Sequence, residues 1–491
     1  MSVKVPNKYD AIIIGAGVGG LICACYLIKS GLKILVLEQN DKPGGCCASL
    51  ELGAYKFDIG VHYLGSLKKG ILGKILDELE IANLLKVHQF DPVERIITPD
   101  GDICLRSDPA LTINEFRDKF PQQEKNIKRF FDFVSQKDFF LTVYPKIKKM
   151  TFRSVLDEFF EDKKIKAILN AISIWNIGAH ADKSLALACI AMFREYVMDP
   201  GYYPYGGSQS YPNLLTQFIR TGGSDMKLNA RVARILNDNN SVCGVELENG
   251  EQYRADVIVT NADAHETFSS LLNVKTDELD KINYLVRSPS MFVVYAGLNI
   301  DMQSALDNPA NILYFSDYNI DETMFDTKRI FNKDDLRYLM MSFPSLHDPE
   351  QCYNSHTSVG LYILANYESP EFWLNNKDRI AGLIVDLANK IIPNLKNNIE
   401  KKFVATPITF ERFTLNTNGA CLGWLPDFER TKLYKIKQRC SIKGLYAAGH
   451  WYTGEFVPSG GIPVVSFSGR RAARIILGDL GKQWKYKEIG L

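Results

Sequence analysis

The stretch that decides the fold is residues 9–47, which read YDAIIIGAGVGGLICACYLIKSGLKILVLEQNDKPGGCC. A short apolar run leads into a turn with Gly15, Gly17 and Gly20. An apolar helical segment and a second apolar run follow, and that run ends on Glu38. This order predicts a dinucleotide site, because such glycines permit a tight turn, close approach of the backbone to a pyrophosphate and close helix–strand packing. The helix N-terminus would bind the phosphates, and the Glu38 carboxylate would accept hydrogen bonds from a ribose diol.

A membrane or signal segment is the alternative for this stretch, since residues 12–28 are almost wholly apolar. The glycine spacing argues against it, and a spanning helix needs about 20 apolar residues. A secretory signal would also show a basic n-region and a small-residue cleavage site around a short apolar core. Neither feature is found here, so we retain the dinucleotide interpretation.

Composition limits the remaining classes of function. A chain of 491 residues predicts two or three domains. The formal net charge of +1 argues against a nucleic-acid binder, which usually carries a strong basic excess. The ten cysteines are scattered without a zinc-type Cys/His cluster, so we predict no metal site. Free thiols in a reducing compartment predict a cytoplasmic location, with or without membrane association.

The segment after Glu38 offers a second close approach to the nucleotide at Gly44 and Gly45. Residues 61–65 are expected to form a short strand or turn that points back at the same site, and residues 67–79 have the apolar spacing of an amphipathic helix. Residues 112–198 are predicted to be helical and mix basic with aromatic side chains. They would either contact a membrane surface peripherally, cover an apolar pocket, or form an ordinary helical subdomain with a solvated basic face.

The second half of the chain predicts two further sheets. Residues 227–260 resemble a three-stranded antiparallel wing, after which the nucleotide domain resumes. A short buried strand at residues 444–449 precedes a loop and a helix at residues 463–477, which has proline at its start. Strands of a second sheet are expected at residues 290–299, 335–343 and 358–366, with a further extended segment at 404–412.

These motifs together resemble the flavoproteins with two dinucleotide-binding motifs, a superfamily that includes amine oxidases, phytoene desaturases and GDP-dissociation inhibitors. Four segments carry the closer resemblance: PGGCC at 43–47, FDIGVHYLG at 57–65, GYYPYGGSQ at 201–209 and ATPITFERFTLNTNGACLGW at 405–424. They look most like the branch of phytoene desaturases, carotenoid isomerases and retinol saturases, and particularly like retinol saturase-like members. One position departs from the pattern, because Tyr205 stands where a basic residue is usual.

The resemblance implies FAD as the cofactor. A contact set near the C-terminus, Gly449 and Gly461 to Pro463 with Ile462 between them, would hold the isoalloxazine ring. The helix that starts there would direct its positive end at the flavin and stabilise negative charge as the ring takes up a hydride. Val232 resembles the residue whose backbone meets the adenine.

Catalytic groups are harder to predict, because no catalytic triad or close pair of carboxylates stands out in the sequence. A flavin that moves a hydride needs few protein groups, apart from a proton donor or acceptor. His62 and Glu455 lie in motifs expected to flank the flavin, and they are our candidates for that role. The alternatives are that His62 makes a structural hydrogen bond in a cofactor loop and that Glu455 caps its loop.

We therefore predict an α/β protein with a discontinuous Rossmann-like FAD-binding domain and an inserted substrate domain of helices and mixed sheet. The predicted function is FAD-dependent oxidation, reduction or isomerisation of carbon–carbon bonds in a long hydrophobic isoprenoid, carotenoid, retinoid or lipid substrate. Amine oxidases, which usually show an aromatic cage and a lysine near the flavin, are one alternative. A non-catalytic carrier of the GDP-dissociation-inhibitor type is another. The predicted domains are residues 1–90, 200–280 and 440–491 for FAD, 91–199 for a helical substrate or lid region, and 281–439 for the substrate-binding domain.

Overall fold

The structure is a computed structural model, and it describes residues 9–303, 306, 310–320, 324, 330, 335–352, 356–431, 436–453 and 460–488. The strands are β1 Ala11–Ile14, β2 Ile34–Leu37, β3 Ser49–Leu52, β4 Tyr55–Asp58, β5 Val87–Gln89, β6 Glu94–Thr98, β7 Gly101–Leu105, β8 Tyr202–Pro204, β9 Asp225–Lys227, β10 Val232–Asp238, β11 Ser241–Leu247, β12 Gln252–Arg254, β13 Ile258–Thr260, β14 Ser290–Leu298, β15 Asn311–Phe315, β16 Tyr338–Ser342, β17 Thr357–Ala365, β18 Ile399–Ala405 and β19 Leu445–Ala447. The α-helices are α1 Val18–Lys29, α2 Ile71–Leu79, α3 Pro109–Lys119, α4 Glu124–Val134, α5 Phe139–Thr142, α6 Tyr144–Ile147, α7 Phe152–Phe159, α8 Lys163–Ile177, α9 Ala186–Met192, α10 Ser210–Thr221, α11 Asp277–Ile282, α12 Pro344–His347, α13 Pro370–Ile391, α14 Pro407–Thr414, α15 Phe428–Thr431 and α16 Ile462–Asp479.

A parallel sheet of five strands carries the first motif, in the order β19-β13-β1-β2-β9. Its two central strands from the opening stretch, β1 and β2, are buried along their whole length. Continuous apolar runs of this kind suit strands with both faces covered. The sheet takes strands from three separate parts of the chain, so the α/β class with a discontinuous Rossmann-like sheet is confirmed.

Helix α16 packs directly against helix α1, although the two lie at opposite ends of the chain. A Cβ atom on Gly469 would lie 2.2 Å from the carbonyl oxygen of Gly19 and 3.0 Å from the amide nitrogen of Cys23. Only glycine permits this approach of one backbone to the other. The contact places the N-terminus of α16 beside the glycine turn.

The antiparallel wing is shorter than the sequence predicted. It contains β10, β11 and β12, whereas β9 and β13 pair in parallel within the five-stranded sheet. The β13 run is continuously apolar and buried, which fits a covered parallel strand better than a wing with one solvated face.

A mixed sheet of seven strands has the order β18-β14-β17-β16-β15-β6-β7. The β15–β6 pair is parallel, and the other pairs are antiparallel. Strand β15 was not predicted, whereas β6 and β7 lie within residues 90–107, where the sequence predicts short strands around a turn at 99–101. The boundaries of the three predicted domains stay a prediction.

Residues 404–412, expected to be extended, are divided between a strand and a helix. Strand β18 ends at Ala405, and helix α14 begins at Pro407. Thr406 and Thr409 form a reciprocal capping box at the helix start. The cap satisfies N–H groups that the helix itself leaves free, and proline at N1 stabilises the start further. The extended prediction was wrong because it overlooked this capping signal.

The basic and aromatic region folds as a helical layer whose aromatic side chains largely face inward. Phe130, Phe131 and Phe139 are almost fully buried, while the lysines around them are exposed. Arg194 closes over the Phe139 ring at 4.7 Å and donates to the Val134 carbonyl. Among the described helices, none combines the length and the apolar character needed to cross a membrane.

Candidate functional site

A cavity of about 230 Å³ lies at the carboxyl ends of the parallel strands. Four of its lining residues follow those strand ends: Gly15 after β1, Glu38 after β2, Asn261 after β13 and Gly449 after β19. Ligands of open parallel sheets bind at this edge. The strand order therefore brings together residues more than 400 positions apart into one wall.

Asn261 is a residue of this wall that the sequence analysis missed. Its side chain fills the space between the two ends of the chain. A Cβ atom would lie 2.6 Å from the Asn261 amide nitrogen if built on Gly17, and 2.4 Å from the amide oxygen if built on Gly449. Its position directly after a buried strand was the signal that could have identified it.

The first glycine turn forms a cradle with little room for side chains. Gly15 has a φ of +92°, and the uncapped N-terminus of α1 follows it with Gly17 as the N-cap residue. Gly44 donates its amide to the Ala16 carbonyl at 2.9 Å. Gly15, Gly17, Gly44 and Gly45 therefore line one cavity.

Gly20 lies behind the cradle and does not line the cavity. A Cβ atom there would lie 2.6 Å from the Gly15 carbonyl oxygen and 3.1 Å from the Ile13 side chain. This glycine lets helix α1 pack closely on strand β1. We place it among the residues that shape the turn, whereas the sequence pattern predicts a cofactor contact at this position.

The Glu38 carboxylate is held at the cavity wall by two backbone amides. One oxygen accepts from Ala16 N at 2.7 Å, and the other accepts from Asn40 N at 2.9 Å. The side chain is 5% exposed, and this burial raises the pKa of the carboxyl group above its ordinary value. Each carboxylate oxygen keeps a further acceptor site, which suits a ribose diol. Val232, the first residue of the wing, lines the same cavity beside Arg231.

Only part of the predicted C-terminal contact set lines this cavity. Gly449, Gly461 and Ile462 line the cavity, whereas Pro463 is buried in the first turn of α16 and does not. Gly461 is the N-cap residue of α16, with a φ of +100° and no side-chain cap. Glu455, the second catalytic candidate, lies outside the described residues.

A second cavity of about 110 Å³ adjoins the first. Its wall is mostly apolar and aromatic, and Glu94 is the one carboxyl group among its described lining residues. The lining residues common to both cavities are Cys46, Gly60, Val61, Cys421, Leu422, Gly461 and Ile462. The other residues of the second cavity are Ile59, His62, Tyr63, Glu94, Trp175, Asn176, Tyr196, Met291, Met340, Leu364 and Phe410.

His62 lines this second cavity within an aromatic cluster. Its ring centroid lies 4.6 Å from that of Tyr362 and 5.9 Å from that of Trp175. Its Nδ1 atom is buried and has no hydrogen-bond partner. Burial lowers the pKa of His62 to about 4, so the ring is neutral at pH 7. A neutral ring is a poor proton donor, which disfavours an acid role for His62, and its predicted role as a proton acceptor stays a prediction.

Tyr196 connects the second cavity to the start of α16. It lies on a π-helical turn, Phe193–Val197, and its hydroxyl group is hydrogen-bonded to the backbone of Ile462. Such turns within helices are frequent at functional sites. His450 lines the first cavity, while Trp451 and Tyr452 are buried in the core and line neither one.

The donors and the shape of the first cavity fit FAD. Two uncapped helix N-termini, those of α1 and α16, open onto it and suit anionic groups. The buried carboxylate of Glu38 and the glycines Gly15, Gly17 and Gly449 also line this cavity. The chain matches the family model described as flavin containing amine oxidoreductase over residues 18–477.

The chain belongs to this family. It is therefore an FAD-dependent oxidoreductase. All-trans-retinol 13,14-reductase of Danio rerio is 24% identical to it over 513 aligned residues, 91% of this chain and 83% of that protein. Prolycopene isomerase 2, chloroplastic, of an Oncidium hybrid cultivar is 24% identical over 528 residues, 98% and 86% of the two chains. A solved oxidoreductase from Methanosarcina mazei shares the fold, with a TM-score of 0.69, 15% identity and coverage of 95% and 100%.

Proposed function

We propose that this flavoprotein reduces, desaturates or isomerises carbon–carbon double bonds of a long apolar substrate of the isoprenoid, carotenoid or retinoid class. The observation that carries the proposal is the second cavity, whose apolar and aromatic wall adjoins the candidate cofactor site at Gly461 and Ile462. The names of the two relatives reported above state that they act on retinol and prolycopene, which supports the same substrate class here.

Residues of the first cavity would hold FAD. Glu38 would bind the ribose diol, the N-terminus of α1 with Gly15 and Gly17 the pyrophosphate, and Val232 the adenine. Bound FAD supplies hydride transfer to or from carbon. The uncapped N-terminus of α16 at Gly461 would stabilise negative charge on the group beside it.

Residues of the second cavity would hold the substrate and keep water away from it. Met291, Met340 and Leu364 supply apolar surface, and the His62 ring packs between Trp175 and Tyr362. Apolar walls bind a polyene chain by removing its surface from water. They also protect reactive carbon from side reactions with solvent.

Amine oxidation is the second candidate, because the family carries that name. The described lining of the two cavities contains no lysine, the residue that usually stands near the flavin of amine oxidases. A carrier of the GDP-dissociation-inhibitor type is disfavoured by the intact glycine cradle and Glu38. A polyene substrate agrees better with the apolar second cavity than either alternative.

We propose in addition that the protein binds peripherally to the cytoplasmic side of a membrane. An apolar substrate would be delivered from that surface. The side chain of Leu141 is 81% exposed, and Lys137, Lys146 and Lys148, which lie near it in the sequence, are exposed as well. An exposed apolar residue among lysines suits an anionic membrane surface. All ten cysteines are free thiols, which is typical of a reducing compartment.

Mass spectrometry of the ligands that copurify with the protein tests this function. We expect FAD in near-stoichiometric amount, together with a polyene or related isoprenoid lipid after gentle extraction from cells. FAD with an amine or no apolar compound would favour the amine oxidase alternative. An apolar lipid without flavin, even after reconstitution with FAD, would favour the carrier.

A further inference from the structure

Glu94 differs from the other buried carboxyl groups of the described chain. It is 2% exposed, and its Oε1 atom has no hydrogen-bond partner. Glu38, Asp58 and Glu195, which are similarly buried, each accept hydrogen bonds from backbone amides. Among the described buried carboxyl groups, Glu94 alone has an unpartnered oxygen.

The surroundings of Glu94 favour its neutral form. Burial raises its pKa to about 7, and no cation contributes to that value. The other titratable groups in the cavity wall are neutral at this pH: burial keeps the pKa of Tyr63, Tyr196, Cys46 and Cys421 high and that of His62 low. Asn311, its neighbour on β15, presents an amide without partners. A carboxyl group that titrates near pH 7 is well matched to proton transfer in either direction.

We propose that Glu94 is the catalytic acid and base of the second cavity, exchanging a proton with a substrate carbon. The inference rests on the proposed function. When a double bond is saturated, the O–H bond of Glu94 breaks and its proton forms a new C–H bond on one carbon. Bound reduced FAD would supply a hydride for the other carbon, so that the two π electrons and the hydride pair would form the two C–H bonds. Glu94 is left as a carboxylate, and desaturation is the reverse.

No sequence pattern indicates this role, because Glu94 has ordinary neighbours at the start of β6, the strand next to the edge strand β7. Its place in the cavity depends on the pairing of β6 with β15, which joins segments more than 200 residues apart. His62 is a weaker candidate, since with a pKa of about 4 roughly one ring in a thousand is protonated at pH 7.

Glu94→Gln tests the role, because glutamine keeps the shape but cannot release a proton. We expect polyene turnover to fall by about 100-fold or more, with FAD affinity retained, thermal stability at pH 5 close to that of the wild type, and partial activity restored in Glu94→Asp. Glu195→Gln is the matched control, since Glu195 is 5% exposed but lines neither of these two cavities. Its kcat and pH profile should match the wild type.

Two readouts separate this role from a structural one. Turnover of the wild type in the reducing direction should fall as the pH rises through about 7, and the infrared band of a protonated carboxyl group should titrate over the same range and be missing from Glu94→Gln. An active wild type with an equally active Glu94→Gln contradicts the role, and so does a change in KM alone, which would mean recognition of a polar substrate end. A flavin-loaded wild type that converts no polyene contradicts the proposed function itself and this role with it.

Discussion

At the scale of single residues, the carboxylate of Glu38 has the clearest geometry. Both of its oxygens are fixed by backbone amides of the turns that follow β1 and β2. The side chain is therefore already oriented before a ligand binds. Such preorganisation reduces the entropy lost on binding.

Replacing Glu38 by alanine should weaken FAD binding by about 10- to 100-fold, because hydrogen bonds to a charged group contribute about 1.5–3 kcal/mol. The affinity can be measured by fluorescence titration of the apoprotein with FAD. Glu51→Ala, which removes an exposed glutamate, is the control and should bind normally. An unchanged affinity in Glu38→Ala, with the fold intact, would overturn the assignment of the ribose site.

The buried carboxyl of Glu94 should also make stability depend on pH. Its pKa is raised from 4.5 to about 7 in the folded protein, so between these values the folded state binds the proton more tightly than the unfolded state. Stabilisation from the neutral form is present below pH 4.5 and is lost as the pH rises through about 7. The wild type should therefore lose about 3 kcal/mol relative to Glu94→Gln across this range. Urea unfolding of both proteins at pH 5 and pH 8 measures the difference, and parallel pH curves would contradict it.

Local sequence patterns predicted some of the site residues but not others. Gly15, Gly17 and Glu38 belong to one strand–turn–helix–strand unit, whose spacing is visible in the sequence. Asn261 and Glu94 each have ordinary neighbours, and they gain their positions only through strand pairings between distant segments. Spacing along the chain therefore could not indicate Glu94, and the local sign for Asn261 was only its place directly after a buried strand.

At the scale of elements, the contact between α1 and α16 determines where the C-terminal part of the site lies. Gly469 and Gly19 let the two helices approach closely. The N-terminus of α16 then opens onto the same cavity as the N-terminus of α1. Two helix dipoles thus act on one site.

Gly469→Ala should destabilise the protein by about 1–3 kcal/mol, because a methyl group overpacks this contact. It should also weaken FAD binding, since α16 must shift away from α1. Gly478→Ala in the same helix meets no atom within 4 Å and should be neutral or slightly stabilising. Thermal unfolding and FAD titration of both variants provide the comparison, and equal behaviour of the two would argue against the contact.

Helices and strands were predicted correctly where the apolar pattern was long. The predictions failed where helix capping or strand pairing determined the structure. The unbroken apolar runs of β1 and β2 and the helix near the C-terminus were predicted in nearly their observed places. Helix α14 was mistaken for an extended segment because its β-branched residues favour strands, whereas its capping box favours a helix. Strand membership in a particular sheet could not be predicted, because pairing is a long-range property.

At the scale of the whole molecule, segments from both ends of the chain line the candidate cofactor site. Its first and last strands lie in the same sheet, and the second cavity opens beside that site. The candidate cofactor site and the second cavity thus lie side by side, and both depend on segments that are distant in the sequence.

Membrane contact should depend on the exposed surface around Leu141. Leu141→Glu should reduce binding to vesicles of phosphatidylserine and phosphatidylcholine by about 10- to 100-fold, from the lost apolar burial and the added repulsion. Leu374→Glu is the control, since Leu374 is 82% exposed on a different helix. Vesicle cosedimentation measures both, and equal binding of the two variants would place any membrane contact elsewhere.

Turnover by the FAD-loaded protein under anaerobic conditions distinguishes polyene chemistry from amine oxidation. The reduced protein is mixed with all-trans-retinol or a poly-cis carotene, and the oxidised protein with a panel of amines. We expect conversion of a polyene, as a gain of two hydrogens or a change of double-bond geometry, and no oxidation of amines. Oxidation of an amine with release of peroxide in air, and no change in any polyene, would contradict it.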